Sequence, residues 1–506
     1  MLALRHRAEH LEQRLQLAEA NCTLRSPRRD AFARVLARLL RGQPVRVAVV
    51  GGSAAAGAGG CGYNATFDAL LVLRLNALLA EAERATAKPL GRLVRMNAAQ
   101  GGTSSLWAAA LAEALPSRRA HLLLWEYAIN DHAVALEAAA RGGAPEPAAS
   151  LRFMLEVWLR RALSSRPPPA LLLAYLWDKQ ACLPLLCLAL LPLPPAAARL
   201  PPAAAFKPGN RALCRRRPVP SSAFDAQREV LARYAPHSGG FAALNAAGYA
   251  SRAGGAGLCP LIADSYFHPS AAGHLLLSEL LEALLLRALL PPPAAPPPAA
   301  AADAPLPACG WPLPRAPAAA ADGVSAALAA LLAAPSPPPH ALLAWQPQAS
   351  SWAGAPPPPA LRLRGAPPAA RLFAKAERTR ADRKWMWLVP ACGRNASLQL
   401  ELPAAAAALS YFAMASPGAA VRHSLDGAPI EFRTARGSVL ERSWGYLASW
   451  HLLDGAAAGG AAGGSRVWSL CAETVPNARC IGWRCGLEFK MPMRTAAVGW
   501  FIALVA

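Results

Sequence analysis

The sequence predicts an α/β domain, with three α/β/α layers around a parallel sheet, followed by a β-rich domain with the pattern of a sandwich. Three observations lead to this prediction. In the first half of the chain, apolar runs typical of buried strands alternate with helical patterns. Glycine-rich or polar segments follow several of these runs, as at the carboxyl ends of parallel strands. Beyond residue 340, short runs rich in aromatic and β-branched residues alternate with Gly, Pro and Asn.

The domain organisation follows from length and from changes in composition. A chain of 506 residues is long enough for two or more domains. We predict a helical N-terminal segment at 1–44, the α/β domain at 45–290 and a linker at 291–339, where proline and alanine dominate. The β-rich domain follows at 340–506.

Each element of the α/β domain has its own pattern. Strands are predicted at short runs of apolar and β-branched residues, namely at 45–50, Leu93–Asn97, His121–Ala128 and Ala170–Trp177. Of these, His121–Ala128 is nearly all apolar, as in the centre of a parallel sheet. Helices are predicted where apolar residues recur at helical spacing, namely at Leu2–Glu19, Arg29–Leu40, Phe67–Thr86, Ser104–Leu115, Pro147–Leu163 and from Ser270 to Leu290.

The first strand ends in Gly51-Gly52-Ser53. Glycine permits a sharp turn, so we expect Ser53 at the carboxyl end of the strand, where the next helix begins. Open α/β sheets place their active sites at that edge, and backbone N–H groups there can bind an anion. The alternatives are a Gly-Ser turn without chemistry and a loop that cradles phosphate.

Three more polar segments follow in chain order. Asn97 precedes Gly102 in an N-x-x-x-x-G-T pattern, Asn130 follows the third strand, and Asp264 precedes His268 and the final helix. In order and residue type these segments resemble the four blocks of the SGNH hydrolases, also called the GDSL esterase/lipase superfamily. The resemblance covers roughly residues 45–290.

The resemblance implies a serine esterase. Ser53 would be the nucleophile, His268 the base that takes its proton, and Asp264 the group that orients the imidazole. The oxyanion of the tetrahedral intermediate would be bound by the backbone N–H groups of Ser53 and Gly102 and by the side-chain amide of Asn130. Neither a cofactor nor a metal is expected.

The sequence departs from the family pattern at three places. Gly52 stands where the family usually has Asp, and Ala128 and Ile129 precede Asn130, where a glycine is usual. Asp264 lies four residues before His268 instead of three, a spacing that still shares one face of a helical turn. If Asp264 does not serve, a backbone carbonyl can orient His268. The alternatives are an ordinary turn at Asn130, a loop at His268, a helix N-terminal role for Asp264, and an inactive SGNH fold.

Four polar residues near these segments are assigned other roles. Asp131 and His132 are expected to contact solvent, because sequence neighbours on a turn usually diverge. Glu126 is expected to be paired or to lie near the end of its strand, and His274 to pack or cap at the final helix.

The predicted strands of the β-rich domain are short, and one of them, SLQLEL, alternates as a half-buried strand does. They are Lys384–Val389, Ser397–Leu402, Leu409–Met414, Ala420–Leu425, Ser438–Leu440, Arg466–Leu470 and Val498–Val505. Similar β-rich regions follow the hydrolase domain in some plant and algal SGNH proteins and often bind carbohydrate. Candidate stacking platforms are Trp385, Trp387, Trp444, Trp450, Trp468 and Trp483, although most tryptophans in a small sandwich are core residues.

Charge does not indicate a nucleic-acid partner. The net charge is +22, but only six of the 52 basic residues are lysines. An arginine excess beside abundant Ala, Pro and Gly also fits a GC-rich coding sequence. The 11 cysteines include no C-x-x-C pair, so a zinc site is not expected.

The compartment stays open. Sequons at Asn21, Asn64 and Asn395 are compatible with a secretory route, as is a disulfide among Cys471, Cys480 and Cys485. The first 17 residues lack the apolar core of a signal peptide, and we expect a soluble chain without stable membrane insertion.

The expected function is hydrolysis of a small-molecule or glycan ester, such as an O-acyl group on a saccharide. The alternatives are O-acyl transfer to a sugar hydroxyl and a catalytically inactive carbohydrate-binding protein. The oligomeric state is left open.

Overall fold

The computed structural model describes much of both predicted domains. The described residues are 20–25, 31–57, 63–101, 103–110, 119–132, 135, 147–163, 167–176, 223–238, 240–246, 262–264, 268–290, 342–345, 362–364, 370–374, 383–389, 391, 397–403, 406–415, 419–429, 451–452, 465–474 and 496–505. The chain divides into two compact units. The first comprises residues 1–105, 116–133 and 151–315, and the second comprises 106–115, 134–150 and 316–506.

The described helices match the predicted ones closely, apart from one at 223–238 that the sequence analysis did not assign. They are α1 (Ala31–Leu40), α2 (Phe67–Thr86), α3 (Ser105–Ala110), α4 (Pro147–Leu163), α5 (Ala223–Ser238) and α6 (Ala271–Leu289), with a 3₁₀ turn at Tyr63–Ala65. The predicted helix at Leu2–Glu19 lies outside the described residues.

The first unit is built on a six-stranded sheet. Its strands are β1 (Ala20–Arg25), β2 (Val45–Gly51), β3 (Leu93–Asn97), β4 (Leu122–Glu126), β5 (Ala170–Tyr175) and β6 (Gly240–Asn245). The order is β1-β6-β5-β4-β2-β3, in which β1 is antiparallel to β6 and the other pairings are parallel. A separate two-stranded hairpin is formed by β7 (Ile262–Asp264) and β8 (His268–Pro269).

Helices cover both faces of this sheet. Leu122 of β4 lines an apolar cavity with Val35 of α1 and Leu285 of α6. Trp125, three residues further along β4, contacts Trp158 of α4 and points to the opposite face, because side chains alternate along a strand. The strands β4 and β5 are buried throughout, which explains their nearly continuous apolar sequence. The predicted three-layer α/β/α fold is confirmed.

Two strands of this sheet were not predicted. Ala20–Arg25 lies in the segment expected to be helical, and that expectation is wrong for these residues. Its polar and apolar residues alternate, and it completes the sheet as an antiparallel edge strand. The strand β6, with the sequence GFAALN, lacks β-branched residues; its place between β5 and β1 overrides its weak strand propensity.

The second unit contains two antiparallel sheets. Its strands are β9 (Leu342–Trp345), β10 (Arg362–Arg364), β11 (Ala370–Ala374), β12 (Arg383–Val389), β13 (Leu398–Pro403), β14 (Ala406–Ala415), β15 (Ala419–Leu425), β16 (Ala428–Pro429), β17 (His451–Leu452), β18 (Ser465–Thr474) and β19 (Ala496–Val505). One sheet has the order β10-β13-β18-β15-β16, the other β11-β12-β19-β14-β17 with β9 beside β19. The predicted β-rich domain is confirmed; the expected strand at Ser438–Leu440 and the linker at 291–339 lie outside the described residues.

The core of this unit follows the alternation of its strands. Leu398, Leu400 and Leu402 of β13 are buried, as are Trp468 and Leu470 of β18, which pairs with β13. Trp468 is therefore a core residue, and the prediction that it is a stacking platform is wrong. The side chains of the other five candidate tryptophans are outside what the structure describes. Cys471 is disulfide-bonded, in line with the expected disulfide near the C-terminal end.

None of the described helices is both long and apolar enough to cross a membrane.

Candidate active site

Ser53 lies in a tight turn at the carboxyl end of β2. The N–H of Ala56 donates to the carbonyl of Gly52 at 3.1 Å, and Gly57 closes the turn with φ +90°, a conformation that favours glycine. Residues 53–57 form this turn and not a helix, so the expectation that a helix starts at Ser53 is wrong; the next α-helix among the described residues begins at Phe67. A single turn is enough to hold the half-buried hydroxyl at the edge of the sheet.

The imidazole of His268 reaches this hydroxyl. Its Nε2 lies 2.7 Å from Ser53 Oγ, a hydrogen-bond distance between residues 215 positions apart. His268 is the first residue of the short strand β8 (His268–Pro269), which directly precedes α6. Ser270 caps that helix, because its Oγ accepts from the N–H of Gly273 at 3.2 Å. The capped start of α6 therefore holds the His268 imidazole opposite the Ser53 hydroxyl.

The strands β7 and β8 form a small hairpin within the first unit. Ile262–Asp264 pairs antiparallel with His268–Pro269, and Asp264 is the register partner of His268. We call this pair the His268 hairpin. The two residues thus lie opposite each other across a hairpin, and not on a helical turn as the spacing suggested. The side chain of Asp264 is outside what the structure describes.

Asn130 adjoins the same turn. A Cβ built on Gly52 would clash with Asn130 Nδ2, so the amide packs directly against the backbone that precedes Ser53. Nδ2 also donates to the carbonyl of Thr103. An amide nitrogen carries two hydrogens. Asn130 donates one to Thr103, and its predicted role as an oxyanion donor requires the other. The third predicted oxyanion residue, Gly102, lies outside the described residues, next to Thr103.

The structure corrects the expectation for the two residues after Asn130. Asp131 and His132 do not face solvent; both are buried. The Asp131 carboxylate accepts from the N–H of Ser105 at 2.8 Å and from its Oγ at 2.6 Å. Trp125 Nε1 in turn donates to Ser105 Oγ at 2.9 Å. Asp131 thus fixes the chain that follows Thr103, while its neighbour Asn130 binds Thr103 itself.

His274 and Glu126 agree with what the sequence indicated. The buried imidazole of His274 stacks on Phe67, and its Nδ1 accepts from the N–H of Phe67, the first residue of α2. Glu126 is the last residue of β4, and its Oε2 accepts from the N–H of Ala55 at 3.3 Å.

One polar network beneath the site was missed. Asn97 Nδ2 donates to the carbonyl of Ala55 at 2.9 Å and to Asp68 Oδ2 at 3.0 Å. Asp68 is buried and forms an ion pair with Arg95 at 2.6 Å. The sequence signal for this network was the spacing of Arg95 and Asn97 at the end of β3. Residues two positions apart on a strand point to the same face, so both polar side chains lie on one face of the strand. Among the described residues, no three His, Cys, Asp or Glu side chains are grouped to hold a metal ion.

Burial raises the pKa values of the carboxyl groups of Glu126 and Asp131. It raises the pKa of Glu126 from 4.5 to about 8, with smaller contributions from the charges of Asp131 and Asp68, against the lowering effect of hydrogen bonds from Ala55 and Gly52. Burial likewise raises the pKa of Asp131 from 3.8 to about 7, although hydrogen bonds from Ser105 oppose the shift.

These shifts predict a stability that falls with rising pH. Between pH 4.5 and about 8, folded Glu126 keeps a proton that the unfolded chain has released. The contribution of this proton to the free energy of unfolding is complete below pH 4.5 and is lost as the pH rises to about 8, by up to about 1.4 kcal/mol per pH unit. We expect melting temperatures measured from pH 5 to 8 to fall less steeply for Glu126→Gln than for the parent protein. An equal fall of the melting temperature with pH in both proteins would contradict a raised pKa of Glu126.

The close approach of Gly52 and Asn130 predicts a catalytic defect in Gly52→Ala. The added methyl group would displace the amide of Asn130, which the sequence analysis predicts to be an oxyanion donor. Loss of one such donor typically lowers turnover about 10²- to 10³-fold. We expect kcat for a short-chain ester to fall by about 10². Gly42→Ala is the matched control, since Gly42 has φ +72° and its replacement strains the backbone away from Ser53. A parent-like kcat in Gly52→Ala would rule out this role for the contact.

Comparison with known proteins rests on structure alone. No family profile and no curated protein sequence matches the chain. Among solved structures, a two-domain esterase called CEX, active on acetylated mannans, aligns over 94% of this chain and 96% of its own, with 12% identity and a TM-score of 0.50. The same esterase co-crystallised with mannopentaose aligns with 14% identity and a TM-score of 0.49. TesA aligns over 48% of this chain and 99% of its own, with 19% identity and a TM-score of 0.27.

The fold thus belongs to a known class. Its α/β/α domain followed by a β-rich domain shares the fold of the two-domain esterase CEX.

Proposed function

We propose that this protein is a serine esterase of the SGNH type, with Ser53 as nucleophile and His268 as general base. The observation that supports the proposal best is the 2.7 Å distance between Ser53 Oγ and His268 Nε2 at the carboxyl edge of a parallel sheet. A serine hydroxyl is a weak nucleophile until a neighbouring base accepts its proton, and this distance suits that transfer.

The reaction proceeds through two tetrahedral intermediates. Ser53 Oγ attacks the ester carbonyl carbon while its proton moves to His268 Nε2. The oxyanion is bound by Asn130 Nδ2 and by the backbone N–H groups of Ser53 and Gly102. The intermediate collapses, and the alcohol leaves with the proton from His268. Water then attacks the acyl-enzyme, gives its proton to His268, and the carboxylic acid is released as Ser53 regains its hydrogen.

The substrate class we propose is an acetylated saccharide. CEX, which shares the two-domain layout along 94% of this chain, is active on acetylated mannans. The reaction needs only an acyl ester whose alcohol is a sugar hydroxyl, and no metal takes part in the steps above. The β-rich domain is proposed to bind the carbohydrate.

The test is acetyl release from acetylated mannan and from short-chain aryl esters, with and without a chelator, for the parent protein and Ser53→Ala. We expect Ser53-dependent acetate release that the chelator leaves unchanged. No Ser53-dependent release from any ester would overturn the proposal. Acetyl groups appearing on an added sugar, in place of acetate, would identify an O-acyltransferase instead.

We propose that Asp264 orients His268, on the basis of its register position opposite that residue in the His268 hairpin. We expect Asp264→Asn to lower kcat by about 10⁴, because an amide favours the wrong tautomer of the imidazole. Ser53→Ala provides the reference for complete loss. Nearly normal turnover in Asp264→Asn would reduce the site to a Ser53–His268 dyad.

A further inference from the structure

The residue that follows Ser53 by two positions is held in an unusual way. Ala55 is fully buried, yet neither its N–H nor its carbonyl bonds to the backbone of a helix or strand. Its N–H donates to Glu126 Oε2 at 3.3 Å, and its carbonyl accepts from Asn97 Nδ2 at 2.9 Å. We call Glu126 and Asn97 together the Ala55 clamp.

The clamp comes from the two strands that flank β2. Glu126 ends β4 and Asn97 ends β3, and both strands pair in parallel with β2. Glu126 acts twice, because its backbone carbonyl also accepts from the N–H of Gly52 at 2.8 Å. It therefore binds the chain on both sides of Ser53.

The fit around Glu126 is close. A Cβ on Gly51 would lie 2.9 Å from the Glu126 carbonyl oxygen, so this strand pair tolerates no side chain at that point. Glu126 itself is only 1% exposed. A buried carboxyl group at the end of an apolar strand needs a partner, and the N–H of Ala55 is the one it has in the Ser53 turn.

We infer that Glu126 is a positioning residue for the nucleophile: with Asn97, it holds the Ser53 turn so that Oγ stays aligned with His268 and the oxyanion donors. This inference rests on the proposed function, since it takes Ser53 to be the nucleophile. Because the required contact is an acceptor oxygen, glutamine can replace the glutamate and an apolar side chain of similar length cannot.

The reason for a large effect is geometric. Attack by Oγ requires a defined distance and angle to the carbonyl carbon, and displacement of a catalytic group by about 1 Å can cost about 10²-fold in rate. Without an acceptor, the buried N–H of Ala55 must turn toward another polar group, and Ser53 moves with it. Substrate binding contacts away from the turn are not changed.

The experiment compares Glu126→Met with Glu126→Gln. We expect Glu126→Met to lower kcat by about 10² with little change in KM, and Glu126→Gln to regain most of that loss. Glu156→Met is the matched control, because Glu156 is equally buried but accepts from Tyr234 Oη on α5 instead of touching the Ser53 turn. We expect it to lower stability and leave kcat nearly unchanged.

Hydrogen exchange of the Ala55 amide measures the clamp without catalysis. We expect this amide to exchange about tenfold faster or more in Glu126→Met than in Glu126→Gln. If the parent protein hydrolyses no ester, the proposed function fails, whereas this exchange comparison still tests the contact.

Three results would overturn the inference: a parent-like kcat in Glu126→Met, a Glu126→Gln variant as slow as Glu126→Met, or an equal loss in Glu156→Met. If Glu126→Met does not fold, Asn97→Ala tests the other half of the clamp. We expect it to lower kcat by about tenfold, by the same displacement of the turn, and a parent-like kcat would overturn the inference.

Discussion

Ser53→Ala is expected to lower kcat for the proposed ester hydrolysis by about 10⁶-fold while the protein remains folded, as loss of the nucleophile does in serine hydrolases. The hydroxyl is half-buried, and its described partner is the imidazole of His268, so alanine leaves neither a cavity in the core nor a buried charge. The loss would therefore be one of chemistry and not of stability.

The measurement is kcat on a short-chain aryl ester, with the melting temperature taken alongside. Ser278→Ala is the matched control, because Ser278 is a buried serine of α6 whose Oγ donates to the carbonyl of Leu275. We expect it to keep parent-like turnover. Residual activity of more than a few per cent in Ser53→Ala would show that another nucleophile is responsible.

His268→Gln is expected to have an effect of nearly the same size, a fall in kcat of about 10⁴ or more. Glutamine is similar in length, but its amide cannot take the proton from Ser53 Oγ. Because the two residues act as one unit, the double variant Ser53→Ala/His268→Gln should be no slower than Ser53→Ala alone.

The control for this variant is His274→Gln, which removes the other imidazole of the α6 region. His274 is buried against Phe67 and accepts from its N–H, so the substitution should lower the melting temperature more than kcat. Multiplicative losses in the double variant would contradict a shared proton-transfer step.

The helices and central strands were predictable because their sequences follow local rules. Phe67–Thr86, Leu93–Asn97 and Pro147–Leu163 have the predicted bounds, since helical spacing and short apolar runs are read directly from the chain. The missed strand Gly240–Asn245 is rich in alanine and forms a strand only because its neighbours bury it. Tertiary pairing of that kind has no local signature.

The site was predictable in its residue types but not in its contacts. Ser53, Asn130 and His268 were predicted to lie together because motif order is visible in a sequence, and the structure brings them together. The burial of Asp131 was not, because it depends on Ser105, which lies 26 residues away in the chain. The support from Glu126 was also hidden: a carboxylate at a strand end indicates a partner without identifying the backbone N–H of Ala55.

Covalent trapping of the nucleophile tests the central claim most directly. A fluorophosphonate reacts with an activated serine as Oγ bonds to phosphorus, fluoride leaves, and the base takes the hydroxyl proton. After complete inhibition, mass spectrometry of the digested protein should find one phosphonyl group per chain, on the peptide that contains Ser53. Little or no adduct should form in His268→Gln. Inhibition with the adduct on another residue, or continued ester hydrolysis by a protein whose Ser53 is fully modified, would contradict the account.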